Sequence, residues 1–181
     1  MLGKIKNRIF TLSPVKRYAL LAVILLITMT VAFIFSNSMK PPAESTSDSD
    51  TVKEIISSII PPESNLGQLI LNNIRKIAHF TEYGLLGIEV SCFIFLLVEK
   101  RSKRYIGAAK SLLFALVVGF CDETVQIFSS RGPMIQDVWI DVGGFFTYAL
   151  LANATLECVL LVKLALKKLK EKRNFKNGKN N

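Results

Sequence analysis

Residues 18–35 read YALLAVILLITMTVAFIF, an apolar run with no formal charge in it. A bilayer core about 30 Å thick takes roughly 20 apolar residues at about 1.5 Å each, and somewhat fewer where flanking side chains snorkel. The run is therefore long enough to cross. It follows Lys4, Lys6, Arg8, Lys16 and Arg17, as in a secretory signal, but it exceeds the roughly 7–15 residues of a signal's apolar region, which favours a retained anchor. Three further runs reach spanning length, at residues 78–98, 111–128 and 138–162. The third span is the shortest of these and carries Asp122 and Glu123. The expected fold class is all-α: a polytopic membrane bundle of four transmembrane helices, preceded by a basic segment at 1–17 and followed by a basic tail at 163–181.

Composition agrees with spans separated by basic loops. Of 181 residues, 50% are hydrophobic, yet 23 are Lys or Arg and the formal net charge is +9. A nucleic-acid binder shows such charge on a foldable soluble domain, and almost none of this chain is one. Anionic lipid headgroups are the partner this balance suggests. Cys92, Cys121 and Cys158 fall inside apolar runs without ligand-like spacing, so they read as small packing residues rather than as a disulfide framework or a zinc site.

Charge asymmetry sets an expected orientation. Lys4, Lys6, Arg8, Lys16 and Arg17 precede the first span; Lys100, Arg101, Lys103, Arg104 and Lys110 lie between the second and third; a further 8 follow residue 162. Only Lys40, Lys53, Arg75, Lys76 and Arg131 occupy the other side. By the positive-inside rule both termini are cytoplasmic (N-in/C-in), at the cell membrane.

The first outer segment opens with a polar stretch, residues 41–50, whose composition predicts a linker with too little apolar area to order itself. Val52, Ile55, Ile56, Ile59 and Ile60 then recur at the spacing of a short amphipathic helix that stops at Pro61-Pro62, and Leu66, Leu69, Ile70, Ile74 and Ile77 form a second periodic run. Both read as lids on the outer ends of the bundle, or as surfaces lying on the outer leaflet. The tail reads as a short basic helix that frays, serving as a topogenic signal or held electrostatically on the inner leaflet.

Polar residues inside the spans carry the functional signal, because a charge at the centre of a spanning helix costs about 2.5–3.5 kcal/mol on insertion scales and usually faces the bundle interior. His79, Glu82 and Tyr83 share a face where the second span begins. Asp122 and Gln126 share one near the end of the third, with Glu123 beside them and Arg131 in the loop beyond. Asp137 and Asp141 share one where the fourth begins. Alternating span directions bring these groups to one depth, so a common polar site in the outer leaflet is expected. Glu89 lies on nearly the face of Glu82 and extends a polar stripe inward; Glu157 has no identifiable partner. Gly143-Gly144 reads as a close helix contact.

The run Arg75-Lys76-Ile77-Ala78-His79-Phe80-Thr81-Glu82-Tyr83, with Leu85-Leu86-Gly87, resembles the first signature of the VanZ-like membrane proteins. Asp122-Glu123, Gln126, Phe128, Arg131, Asp137, Asp141 and Gly144 resemble the second. Two departures stand out: Ser129-Ser130 where many relatives have Pro-Gly, and Asp141 where Asn is frequent, which adds an acid to the site. The resemblance implies a bacterial cell-envelope role associated with resistance to teicoplanin, a lipid-tailed glycopeptide antibiotic. It singles out His79, Glu82, Tyr83, Asp122, Glu123, Gln126, Arg131 and Asp137.

Three functions fit these residues. One is a binding or shielding module for a lipid-linked envelope component or lipoglycopeptide, in which Arg75, Lys76 and Arg131 suit phosphates. Another is a membrane-embedded enzyme on a lipid-linked substrate, with His79 or a carboxylate as general base and Arg131 steadying an oxyanion. The last is a structural bundle whose acids, His79 and Arg131 pair as interhelical glue. No zinc-protease pattern, nucleophile elbow or nucleotide loop occurs. No cofactor or metal is assigned; with one histidine in the chain, any metal site would be rich in carboxylates.

Overall fold

The computed structural model describes residues 12–129, 132 and 134–177. Lys4, Lys6, Arg8 and Arg131 lie outside the described residues. Six helices and no strands form within them: α1 (Pro14–Ser38), α2 (Pro42–Ile59), α3 (Asn65–Asn72), α4 (Ile74–Leu97), α5 (Arg101–Phe128) and α6 (Ile135–Asn177). α1, α4, α5 and α6 are long and apolar enough to cross a membrane.

Each helix start has a local cause. Ser13 caps α1 by accepting from the Lys16 amide at 3.5 Å, and Pro14 occupies the first turn, where its missing N–H costs nothing. Ser64 caps α3 in the same way through the Gly67 amide at 3.0 Å. Hydroxyls within the spans bond back one turn, as Thr28 does to the Ile24 carbonyl at 2.9 Å and Thr124 to Phe120 at 2.7 Å. Such bonds let an otherwise unsatisfied donor sit on an exposed spanning face.

The spanning helices begin earlier or run longer than their apolar stretches. α5 starts at Arg101, ahead of the apolar run at 111, because Arg, Lys and Ala are good helix formers and need no lipid to remain helical. α6 continues unbroken to Asn177, so the described part of the basic tail, residues 163–177, is the end of the fourth span's own helix rather than a separate short one. At about 1.5 Å per residue its 43 residues extend about 65 Å, twice a bilayer core.

α4 is the centre of the bundle and packs most intimately against α6. Gly87 and Gly144 make this possible: a Cβ on Gly87 would overlap the Phe145 carbonyl, and one on Gly144 would overlap the Phe80 carbonyl. Small residues that let two backbones touch are the usual basis of close helix packing in lipid. Around this contact Tyr83, Leu86, Val90 and Ile94 of α4, Ala115 and Val118 of α5, Phe145 and Ala149 of α6 and Ile34 of α1 form the core. Thr30 of α1 donates to Glu89 of α4 at 2.8 Å, which gives the inward extension of the polar stripe a partner.

Two expectations are corrected. Residues 42–50 are helical and continuous with the amphipathic segment, because Pro42 starts the helix, Thr46, Ser49 and Thr51 bond to carbonyls one turn back, and Lys40 and Lys53 pair with Asp48 and Asp50 at 2.7 and 2.8 Å. Composition alone counted those polar groups as seeking water. Cys121 and Cys158 are exposed rather than packed in the core, and Cys92 is half-buried.

The apolar stripe of α2 is divided. Val52 and Ile56 line a cavity against the bundle, whereas Ile55 and Ile59 point away, 57% and 76% exposed. α2 is thus a partial lid whose outer apolar edge is bare.

Candidate functional site

α4, α5 and α6 each place polar side chains at the same end of the bundle. His79 and Tyr83 are one turn apart on α4, Asp122 and Gln126 one turn apart on α5, and Asp137 and Asp141 one turn apart on α6; all six are buried. Tyr83, Gln126, Asp122 and Asp141 are fully enclosed.

Two sub-clusters result. In the first, His79 Nδ1 stands 3.4 Å from Asp141 Oδ1 and 3.9 Å from Asp122 Oδ2. None of these atoms makes a well-directed hydrogen bond among the described residues, and the same holds for the Tyr83 hydroxyl and the second oxygens of both aspartates. The Ser38 hydroxyl approaches Asp122 without meeting hydrogen-bond geometry. Buried polar groups are satisfied in the great majority of cases, so so many orphans in one place call for an explanation.

The second sub-cluster is linked by directed hydrogen bonds, with only Arg75 Nε left without a partner among the described residues. Arg75 Nη2 donates to Gln126 Oε1 at 3.0 Å, Gln126 Nε2 donates to Glu123 Oε1 at 2.8 Å, and the Met134 amide donates to Glu123 Oε2 at 2.8 Å. This relay ties α4 to α5 and fastens the start of α6. Glu82 stands apart from it and accepts from Asn37 Nδ2 at 3.0 Å. Asp137 is buried beside a smaller cavity of about 310 Å³ that Arg75 and Lys76 also line.

A cavity of about 510 Å³ opens between the end of α1, the lid α2 and the start of α4. Asn37, Lys40, Ser49, Arg75, His79 and Glu82 give it polar walls, and Phe33, Val52, Ile56 and Ile77 apolar ones. A chamber with His79, Glu82, Arg75 and Lys40 on its polar walls and apolar flanks suits an amphiphile with a polar head. His79 belongs to both the chamber wall and the inner cluster.

Of the residues expected to converge, the structure brings together His79, Asp122 and Asp141, places Tyr83 among the same buried groups, and joins Arg75, Gln126 and Glu123. Glu82 faces the chamber and Asp137 the smaller cavity. Asn37 and Ser38 also line the chamber, and their signal in the sequence is the polar break Ser36-Asn37-Ser38 at the end of an uninterrupted apolar run. Arg104 and Glu157 form a separate buried pair outside this site: Arg104 Nε and Nη2 reach Glu157 Oε1 at 2.9 and 2.6 Å, and Arg104 Nη1 reaches the carbonyls of Val98 and Glu99 at 3.2 and 2.8 Å.

The sequence model of a family described as VanZ/LLP1 matches residues 21–157, which includes every element of the site. No curated protein and no solved structure matches the chain.

Proposed function

Because the chain belongs to the VanZ/LLP1 family, we propose that it acts in a bacterial cell membrane as a binding or shielding module for a lipid-linked envelope component or a lipid-tailed glycopeptide of the teicoplanin kind. The observation that carries this reading is the amphiphilic chamber beneath α2, with His79, Glu82 and Arg75 in its wall. Positive-inside topology supports placing the chamber in the outer leaflet, where such molecules are anchored. The bare edge of α2, Ile55 and Ile59, suits contact with the surrounding lipid.

The enzyme reading has one observation in its favour, the His79–Asp141 approach at the chamber wall, which resembles a base and its orienting acid. It predicts chemical change in a lipid-linked substrate, whereas the binding reading predicts none.

Orientation is checked with single cysteines in a chain whose own cysteines are replaced. Cysteine at Ser47 or Ser129 is expected to react with an impermeant reagent from outside, and cysteine at Ser102 is not. External reaction at Ser102 reverses the topology and removes the chamber from the outer leaflet.

The function is checked by growth of cells expressing the chain in a lipid-tailed glycopeptide and in an untailed one. Wild type is expected to protect mainly against the tailed compound. His79→Asn and Glu82→Gln, at matched membrane abundance, are expected to lose that protection. Equal protection against both compounds, or full protection by both variants, would count decisively against an amphiphile site.

A further inference from the structure

The cluster of His79, Asp122 and Asp141 has no role in holding the helices together that its geometry explains. Three helices each contribute one residue, and the three donor atoms lie within 4.8 Å of one another. Glue pairs elsewhere in the bundle look different: Thr30 with Glu89 at 2.8 Å and Arg104 with Glu157 at 2.6 Å are short and directed. Here the approaches are 3.4 and 3.9 Å and every aspartate oxygen is an orphan, although both side chains are wholly buried.

The 3.9 Å approach is too long for a hydrogen bond and the 3.4 Å one is poorly directed, and both suit ligands of one ion. Tetrahedral donors about 2.0 Å from a metal stand about 3.3 Å from each other, and opposite donors of an octahedral ion stand about 4.2 Å apart. Charge points the same way. Two carboxylates buried side by side call for a counter-charge, and among the described residues no Lys or Arg forms an ion pair with either of them; His79 alone stands near both. Access is provided by His79, which lines the chamber.

We infer that His79, Asp122 and Asp141 bind a single divalent metal ion of the class that accepts one imidazole nitrogen and two carboxylate oxygens, such as Mn²⁺ or Zn²⁺. The ion replaces the missing hydrogen bonds, neutralises the paired carboxylates and leaves coordination positions open toward the chamber. The Tyr83 hydroxyl, buried without a partner, is placed to bond a water on the ion. This inference goes beyond the amphiphile site and stands without it.

The test uses the purified full chain in detergent or nanodiscs, titrated with Mn²⁺ alone. One ion is expected per chain, with nitrogen coupling from His79 in pulsed paramagnetic resonance. Asp141→Asn and His79→Gln are each expected to weaken binding by about tenfold or more. Mn²⁺ is expected to raise the melting temperature of wild type only. Without metal, Asp141→Asn is expected to melt no lower than wild type, since it removes a buried charge of like sign. If that variant does not fold, His79→Gln carries the comparison. Folded wild type that takes up neither Mn²⁺ nor Zn²⁺ at millimolar concentration, or uptake that survives both substitutions, overturns the assignment and leaves a cluster that shares protons instead. Wild type that binds the metal but protects no better against the tailed glycopeptide than against the untailed one would instead count against the amphiphile reading alone.

Discussion

Replacing Arg104 by Leu is expected to lower stability by about 3–5 kcal/mol, because it strands a largely buried carboxylate. Arg104 is 6% exposed and directs two nitrogens onto one oxygen of Glu157, whose side chain is 14% exposed. The same guanidinium closes the end of α4 through the Val98 and Glu99 carbonyls, with its carbon 4.8 Å from the Phe95 ring centre. Arg101 cannot substitute, since it is largely exposed and lies 3.6 Å from the other oxygen. The comparison is with Glu157→Leu and with the double variant. Because the double variant has no stranded charge, it is expected to recover much of the loss, though not the part due to the α4 carbonyls. The readouts are membrane abundance and thermal unfolding in detergent. A double variant as unstable as the sum of the singles would show that the two groups do not stabilise each other.

That pair also marks a boundary of what sequence could reveal. The apolar runs were legible because lipid imposes a length on them, and the clusters on α4, α5 and α6 were legible because residues 4 apart share a helical face. Alternating span direction then brings His79, Asp122 and Asp141 to one depth. Arg104 was counted only as a topogenic charge, and Glu157 had no visible partner, because their encounter depends on how α5 and α6 rotate against each other. Periodicity fixes a face but not which neighbour it meets. The same reason hid Thr30 and Glu89.

The linker expected at residues 41–50 is helical from Pro42 onward for a different cause. A run of Ser, Thr and Asp has the composition of disorder, but its hydroxyls accept a helical role when each bonds back one turn, as Thr46 does to Pro42 at 2.8 Å. What holds the segment in place is Ser45, Ser49 and Val52 facing the chamber, a tertiary fact that composition does not carry.

Gly144→Ala is expected to be among the most disruptive single-methyl changes in the chain, while Gly143→Ala is tolerated. Both glycines lie on α6 and both were read together as a close helix contact, but the structure separates them. A Cβ at Gly143 meets only the edge of the Phe80 ring at 3.9 Å, an ordinary contact, whereas one at Gly144 would overlap the Phe80 backbone. A ring can turn aside; a backbone within α4 cannot move without carrying its neighbours. Overpacking typically costs about 1–3 kcal/mol, and a clash against backbone belongs at the upper end. Gly143→Ala has no such cost and gains helix propensity, up to about 1 kcal/mol. The two alanines differ by one position and nothing else, so their thermal unfolding separates packing from propensity directly. Phe80 directly follows His79, so whatever displacement relieves the Gly144→Ala clash also moves the imidazole relative to Asp122 and Asp141. Loss of stability in Gly144→Ala is therefore expected to come with loss of antibiotic protection in whatever fraction still folds. Equal unfolding temperatures for the two variants would mean that α4 and α6 do not meet backbone to backbone at Phe80.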